Sequence, residues 1–266
     1  SLKRNNQQCA GVTQGNTSHA TSELVPPLYS RRSLVDCVVV TKIPLGAVLF
    51  DMDGTIIDSE PYWMGAEREL VESFGGTWKD EQGYALVGSG LWNTASLLRS
   101  EGVDLPHEEI IAKLSATVRA HVDAVIPWRP GAREILGELL DAGIPCALVT
   151  MSIGLNARAL SDALDRELGR KVFGAIICAD DVTHPKPDPE AYLAGAAALG
   201  VNIHDTIAFE DSSFGAASAF SAGAVTIGIP LHVDIPHTSA HELWDSMAGK
   251  SLHDIDRAFH THRRTA

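Results

Sequence analysis

Asp51 and Asp53 stand one residue apart, directly after the apolar run Ala47 to Phe50, and lead into Gly54-Thr55. Apolar runs of this kind suit strands buried on both faces of a parallel sheet, and ligands of such sheets bind outside the strands' carboxyl ends. Folding alone gives no reason to place two acids there. Three further strand-like runs carry polar groups at or beyond their ends: Thr150-Met151-Ser152, the segment His184-Pro185-Lys186-Pro187-Asp188, and Glu210-Asp211-Ser212. If they converge, Asp51, Asp53, Glu210 and Asp211 repel one another unless a hard divalent cation joins them, and an oxygen-only donor set in an acidic cleft favours Mg²⁺. Magnesium with few protein ligands usually has a phosphate partner. Lys186 offers the positive charge a phosphoryl group needs, and the Thr150 hydroxyl with neighbouring backbone N–H groups offers donors. Two acids spaced by one can then divide the roles of nucleophile and proton donor. A calcium loop does not fit, because Gly54 comes at position four, two residues too early for that pattern.

Convergence requires elements that bring these residues to one edge. After the first strand, Glu60 to Phe74 reads as a helix with Ser59 or Asp58 as N-cap and Pro61 in its first turn. Helical patterns over Leu91 to Ser100 and His107 to Val122 follow, so residues 60–129 form a small all-helical module. Pro127-Trp128-Arg129-Pro130-Gly131 reads as a linker. Beyond it, helices and strands alternate: helix 132–142, strand 145–149, helix 155–168, strand 175–178, helix 189–199, strand 206–209, helix 214–222 and strand 224–227. That rhythm predicts right-handed βαβ units and a doubly wound parallel, Rossmann-like α/β sheet, with the helical module inserted after the first strand. The core then comprises residues 44–59 and 130–250. Residues 1–43 read as a flexible N-terminal extension in which Leu34 to Val40 could add an edge strand, and residues 251–266 as a basic, polar tail without an assigned role.

The formal charge of −13 argues against general binding to nucleic acid or an anionic membrane. An anionic substrate therefore needs a local positive site. No apolar stretch approaches the length that spans a bilayer, and the N-terminus has no signal-like segment, so a cytoplasmic location is expected. Cys9, Cys37, Cys146 and Cys178 form no CxxC pair and read as thiols of a reducing compartment. The eleven histidines match no metal-ligand spacing.

Asp51-Met52-Asp53-Gly54-Thr55, the strand-terminal Thr150, Lys186 in a Lys-Pro-Asp context, and Glu210-Asp211-Ser212 resemble, in order and spacing, the four motifs of the haloacid dehalogenase superfamily. The longer string Phe50 to Pro61, with Pro130-Gly131, resembles its sugar-phosphate phosphatase and beta-phosphoglucomutase branch, which carries a helical cap between the first two motifs. The resemblance covers roughly residues 45–230. It implies a phosphatase acting on a small phosphorylated metabolite, a sugar or polyol phosphate, through an aspartyl-phosphate on Asp51. Asp53 would protonate the leaving alcohol and then deprotonate the attacking water. Magnesium would be held by the Asp51 carboxylate, the Asp53 backbone carbonyl and Asp211, with Glu210 nearby or sharing the duty. Thr150 and Lys186 would bind the phosphoryl oxygens. The second acid, Asp53, argues against dehalogenation. Phosphoglucomutases of this branch carry a His where Trp63 stands, which favours hydrolysis over isomerisation and makes Trp63 a candidate substrate contact. A phosphomutase remains one alternative. A non-catalytic phospho-ligand sensor or interaction domain is another, but its sign would be a lost nucleophile or acid, and neither is lost.

Overall fold

The computed structural model describes residues 44–86 and 90–263. The expected N-terminal extension, with its candidate strand Leu34 to Val40, lies outside them, as do Cys9 and Cys37. The strands are β1 (Ala47–Phe50), β2 (Cys146–Val149), β3 (Ala175–Ile177), β4 (Thr206–Glu210), β5 (Val225–Gly228) and β6 (Glu242–Leu243). They pair in parallel throughout, in the order β3-β2-β1-β4-β5-β6. The chain leaves β1 in one direction for β2 and β3, then crosses back to β4 and β5. The order therefore reverses beside β1, which opens a crevice at the carboxyl ends of β1 and β4.

Side-chain alternation along each strand sorts the core into two layers. Val48, Phe50, Leu148, Ile207, Phe209 and Ile227 face α5 (Ala132–Asp141), α6 (Gly154–Leu168) and α9 (Leu252–His262). On that face Phe50 and Phe209 stack, with ring centroids 5.2 Å apart. Leu49, Ala147, Val149 and Ala208 face α7 (Glu190–Ala198) and α8 (Ser213–Ala222), which answer with Ala191, Tyr192, Ala196 and Ala219. Small residues let these two helices lie close to the sheet. A Cβ on Gly195 would come 2.9 Å from Val149 Cγ2.

Between β1 and β2 lies the cap: α1 (Glu60–Ser73), α2 (Asp80–Tyr84), α3 (Leu91–Ser100) and α4 (His107–Ala124). α4 packs on α1 and α3 and also on α6 of the core. The chain's exit to the cap and its return run side by side, joined by Asp58 N–H to the Pro127 carbonyl at 2.8 Å and Arg129 N–H to the Ile56 carbonyl at 2.8 Å. None of the helices among the described residues is long and apolar enough to cross a membrane.

Four local expectations change. The described part of the expected tail, residues 251–263, is not without a role: α9 buries Ile255, Ala258 and Phe259 against the sheet. Its start is fixed by a capping box between Ser251 and Asp254. The Pro127 to Gly131 stretch is not merely a linker, since Arg129 is buried and donates to the Gly54 carbonyl at 2.5 Å and to the Ile229 carbonyl at 3.4 Å. Ser59 holds the N-cap position of α1 but makes no side-chain cap, because its backbone is helical rather than extended. The short elements α2 and β6 were not anticipated.

Candidate active site

Strand register does the first part of the assembly. Phe50 pairs with Phe209, so the next residues, Asp51 and Glu210, arrive level at the mouth of the crevice, and Asp51 N–H donates to the Phe209 carbonyl at 3.1 Å. Lys186, from the loop between β3 and α7, reaches across to them. Its Nζ donates to Asp51 Oδ1 at 2.8 Å, Glu210 Oε1 at 2.6 Å and the Val149 carbonyl at 2.9 Å. Tyr192 OH donates to the same Glu210 oxygen at 2.6 Å. Glu210 is thus wholly buried beneath the cleft and holds Lys186, while Asp51 and Asp211 line the cleft itself.

Two glycines let the backbone come this close. Gly54 has φ of +81°, and a Cβ there would fall 2.0 Å from Asp211 Oδ2. A Cβ on Gly215, in the first turn of α8, would fall 1.9 Å from Glu210 Oε1.

Asp51, Glu210 and Asp211 each present an oxygen within 4.8 Å of the others, and all three are buried. The electrostatic result is crowding. Burial lifts the Asp51 carboxyl to about 8, with Lys186 opposing and Glu210 adding to the rise. Burial together with Asp51 and Glu210 lifts Asp211 well above the carboxylate range. Burial works against the Lys186 charge, but Asp51 and Glu210 outweigh it and hold that ammonium above its ordinary value. One lysine cannot neutralise three buried carboxylates. An all-oxygen donor set with this charge deficit fits a hard divalent cation.

Asp53 is held differently. Its Oδ1 accepts from Ser59 Oγ and, at 3.5 Å, from Trp63 Nε1, both at the start of the cap; its Oδ2 accepts from Ser152 Oγ at 2.6 Å. Ser152 itself is fixed by the Thr150 hydroxyl, which accepts the Ser152 N–H at 3.0 Å. Asp51, Asp53, Thr150, Lys186, Asp211 and Trp63 all line a single cleft of about 170 Å³ between core and cap. Its cap wall includes Glu60, Glu67 and Thr94, and Phe214 and His232 stand on the core side. Burial, with Asp53 and Asp58 near, raises Glu60 to about 7. Burial, with Glu60 near, raises Glu67 to about 8.

The sequence reading passed over the roles of Ser152, Tyr192, Arg129, Glu60 and Glu67. Ser152 was visible as one of the polar groups at the end of β2. Tyr192, inside an apolar helix, gave no signal.

A family model of haloacid dehalogenase-like hydrolases matches residues 48–229. The chain belongs to that family. Among curated relatives of this haloacid dehalogenase-like chain, fructose-1-phosphate phosphatase YqaB of Escherichia coli K12 is 32% identical over 196 residues, covering 69% of this chain and 96% of that protein. A phosphorylated carbohydrates phosphatase of Thermotoga maritima is 31% identical over 195 residues, covering 70% and 85% respectively. The crystal structure of CbbY from Rhodobacter sphaeroides in complex with phosphate superposes with a TM-score of 0.70 at 27% identity, over 80% of this chain and 99% of that one.

Proposed function

We propose that this haloacid dehalogenase-like hydrolase is a magnesium-dependent phosphoric monoester hydrolase acting on a small phosphorylated sugar or polyol. The observation that carries the reading is that Asp51 and Asp53 face one cleft but are held by opposite kinds of partner. Asp51 sits in a charged cluster with Lys186, whereas Asp53 is held by neutral donors. That difference suits a nucleophile and a proton carrier. The relatives named for fructose 1-phosphate and phosphorylated carbohydrates support the substrate class.

Asp51 attacks phosphorus and takes the phosphoryl group as an aspartyl-phosphate, while Asp53 gives a proton to the leaving alkoxide. Asp53 then takes a proton from the water that attacks the acyl phosphate, which returns Asp51. Ser59, Trp63 and Ser152 keep the Asp53 carboxyl aimed into the cleft. Lys186 sets its charge beside Asp51, and the Thr150 hydroxyl and neighbouring backbone N–H groups meet the phosphoryl oxygens. Asp51, the Asp53 backbone carbonyl and Asp211 would hold Mg²⁺, with Glu210 behind them anchoring Lys186. Bound there, the ion supplies the charge that offsets the transferring phosphoryl group. Cys146 and Cys178, free and buried, suit a reducing cytoplasm.

The test is phosphate release from an aryl phosphate and from fructose 1-phosphate, with and without Mg²⁺, for wild type and Asp51→Asn. Wild type should turn over only with the metal, and Asp51→Asn should lose at least about 10³-fold in kcat, a barrier increase of about 4 kcal/mol. Full activity in Asp51→Asn would remove the nucleophile assignment.

A further inference from the structure

We infer that the cap wall of the cleft selects an ester whose far end is neutral and hydroxylated, rejects a second phosphate, and does so through Glu67 with Glu60 beside it. The inference rests on the phosphatase reading and deepens it.

Glu67 is 4% exposed, lines the cleft from α1, and its buried Oε2 has no hydrogen-bond partner. A buried acceptor left unmatched is costly, and native structures rarely keep one without use. The same carboxyl lines the cleft, where an arriving O–H group can pair with it. The α1 face that carries Glu67 also carries Glu60 and Trp63 along the same wall: Trp63 reaches Asp53, and Glu60 is close enough to Asp53 to feel its charge.

Charge decides what the far end of the substrate can be. Among the described residues lining the cleft, Lys186 is the one lysine or arginine, and its ammonium is already directed at Asp51, Glu210 and the Val149 carbonyl. A second phosphate lodged under the cap would lose water and meet two acids and, among the described residues, no lysine or arginine, with His232 on the core side already beside Asp58 at 3.7 Å; that is the unfavourable case for a buried anion. Protonated or not, Glu60 and Glu67 add no positive charge there. Sugar hydroxyls meet the same wall with donors. The cleft also disfavours isomerisation through a bisphosphorylated sugar, since that species would have to be held in the same place.

The experiment measures kcat/KM with Mg²⁺ for an aryl phosphate, fructose 1-phosphate and fructose 1,6-bisphosphate, using wild type, Glu67→Gln and Glu67→Leu, with thermal melts to confirm folding. Wild type should prefer the monophosphate over the bisphosphate by at least about 100-fold. Glu67→Leu should lower the ratio of fructose 1-phosphate to aryl phosphate kcat/KM by about tenfold, mainly through KM, and Glu67→Gln, which keeps an acceptor, should recover much of it. Should the aryl ester turn over while the two fructose esters are equal within threefold, the inference alone falls, and that comparison needs only wild type. An unchanged ester ratio in a folded Glu67→Leu overturns the role of Glu67. If wild type releases phosphate from none of the esters, the phosphatase reading falls and takes this inference with it.

Discussion

Replacing Glu67 with Gln should change how stability depends on pH, and the sign follows from the direction of the shift. Glu67 goes from an ordinary value of 4.5 to about 8 on folding, chiefly by burial and secondarily by Glu60. The folded chain therefore keeps a proton that the unfolded chain releases between those values, so the wild type loses stability as pH climbs through this window and levels off above about 8. Each pH unit inside the window is worth about 1.4 kcal/mol, which makes the loss between about pH 5.5 and 7.5 roughly 2–3 kcal/mol. Gln has nearly the same shape and does not titrate. Any cost of burying its amide without a partner is the same at both pH values and drops out of the comparison. Glu60, Asp51 and Asp211 are present in both proteins and largely cancel as well. Melting curves of the two proteins across pH 5–8 should thus diverge, with Glu67→Gln gaining on wild type by about 5–10 °C over that range. Parallel curves would mean that Glu67 is solvated or paired in solution and that the buried, unmatched oxygen is not a feature of the folded state.

Asp53→Asn should keep the fold and the metal, since the proposed metal contact of Asp53 is its backbone carbonyl. It should cut turnover of fructose 1-phosphate by about 10²–10⁴-fold, and much less for an aryl ester whose leaving group needs no proton. Mg²⁺ should raise the melting temperature of wild type, and Asp211→Asn should abolish most of that rise, as read by melts at graded metal concentrations. Arg129→Met should destabilise by about 1–3 kcal/mol in chemical denaturation by leaving the Gly54 carbonyl unmatched. It should also lower kcat, because that carbonyl belongs to the loop carrying Asp51 and Asp53.

Much of this arrangement could be read from residues alone because parallel sheets obey a simple rule: polar groups at strand ends meet. Asp51, Thr150, Lys186 and Asp211 needed only that rule and the alternating rhythm of helices and strands. Glu210 needed more. As an acid at a strand end it read as a group near the metal or sharing its coordination, yet it closes β4 beneath the cleft and is held by Lys186 and Tyr192. Tyr192 gave no warning because a tyrosine in an alanine-rich helix reads as packing, and only the tertiary fold brings its hydroxyl to Glu210. α9 shows the opposite case. Ile255, Ala258 and Phe259 recur at helical spacing behind a Ser251–Asp254 capping box, so the signal was present but lay among basic and polar residues.

The two acids that begin the site end as unequal partners, and the inequality has a structural origin beyond their places in the motif. Asp51 is fixed from the core alone, through the β1–β4 register and Lys186. Asp53 is fixed from both sides, with Ser152 reaching it from the end of β2 and Ser59 and Trp63 from the start of α1. The carboxyl proposed to give and take a proton is therefore the one whose orientation depends on where the cap sits. Moving the first turn of α1 would remove two of its three donors and leave the proposed nucleophile untouched. On the proposed mechanism, placing the proton carrier under the cap's control would couple catalysis to closure over a bound ester, because Glu67 and Glu60, which line the cleft from the cap, lie on the same helix as Trp63.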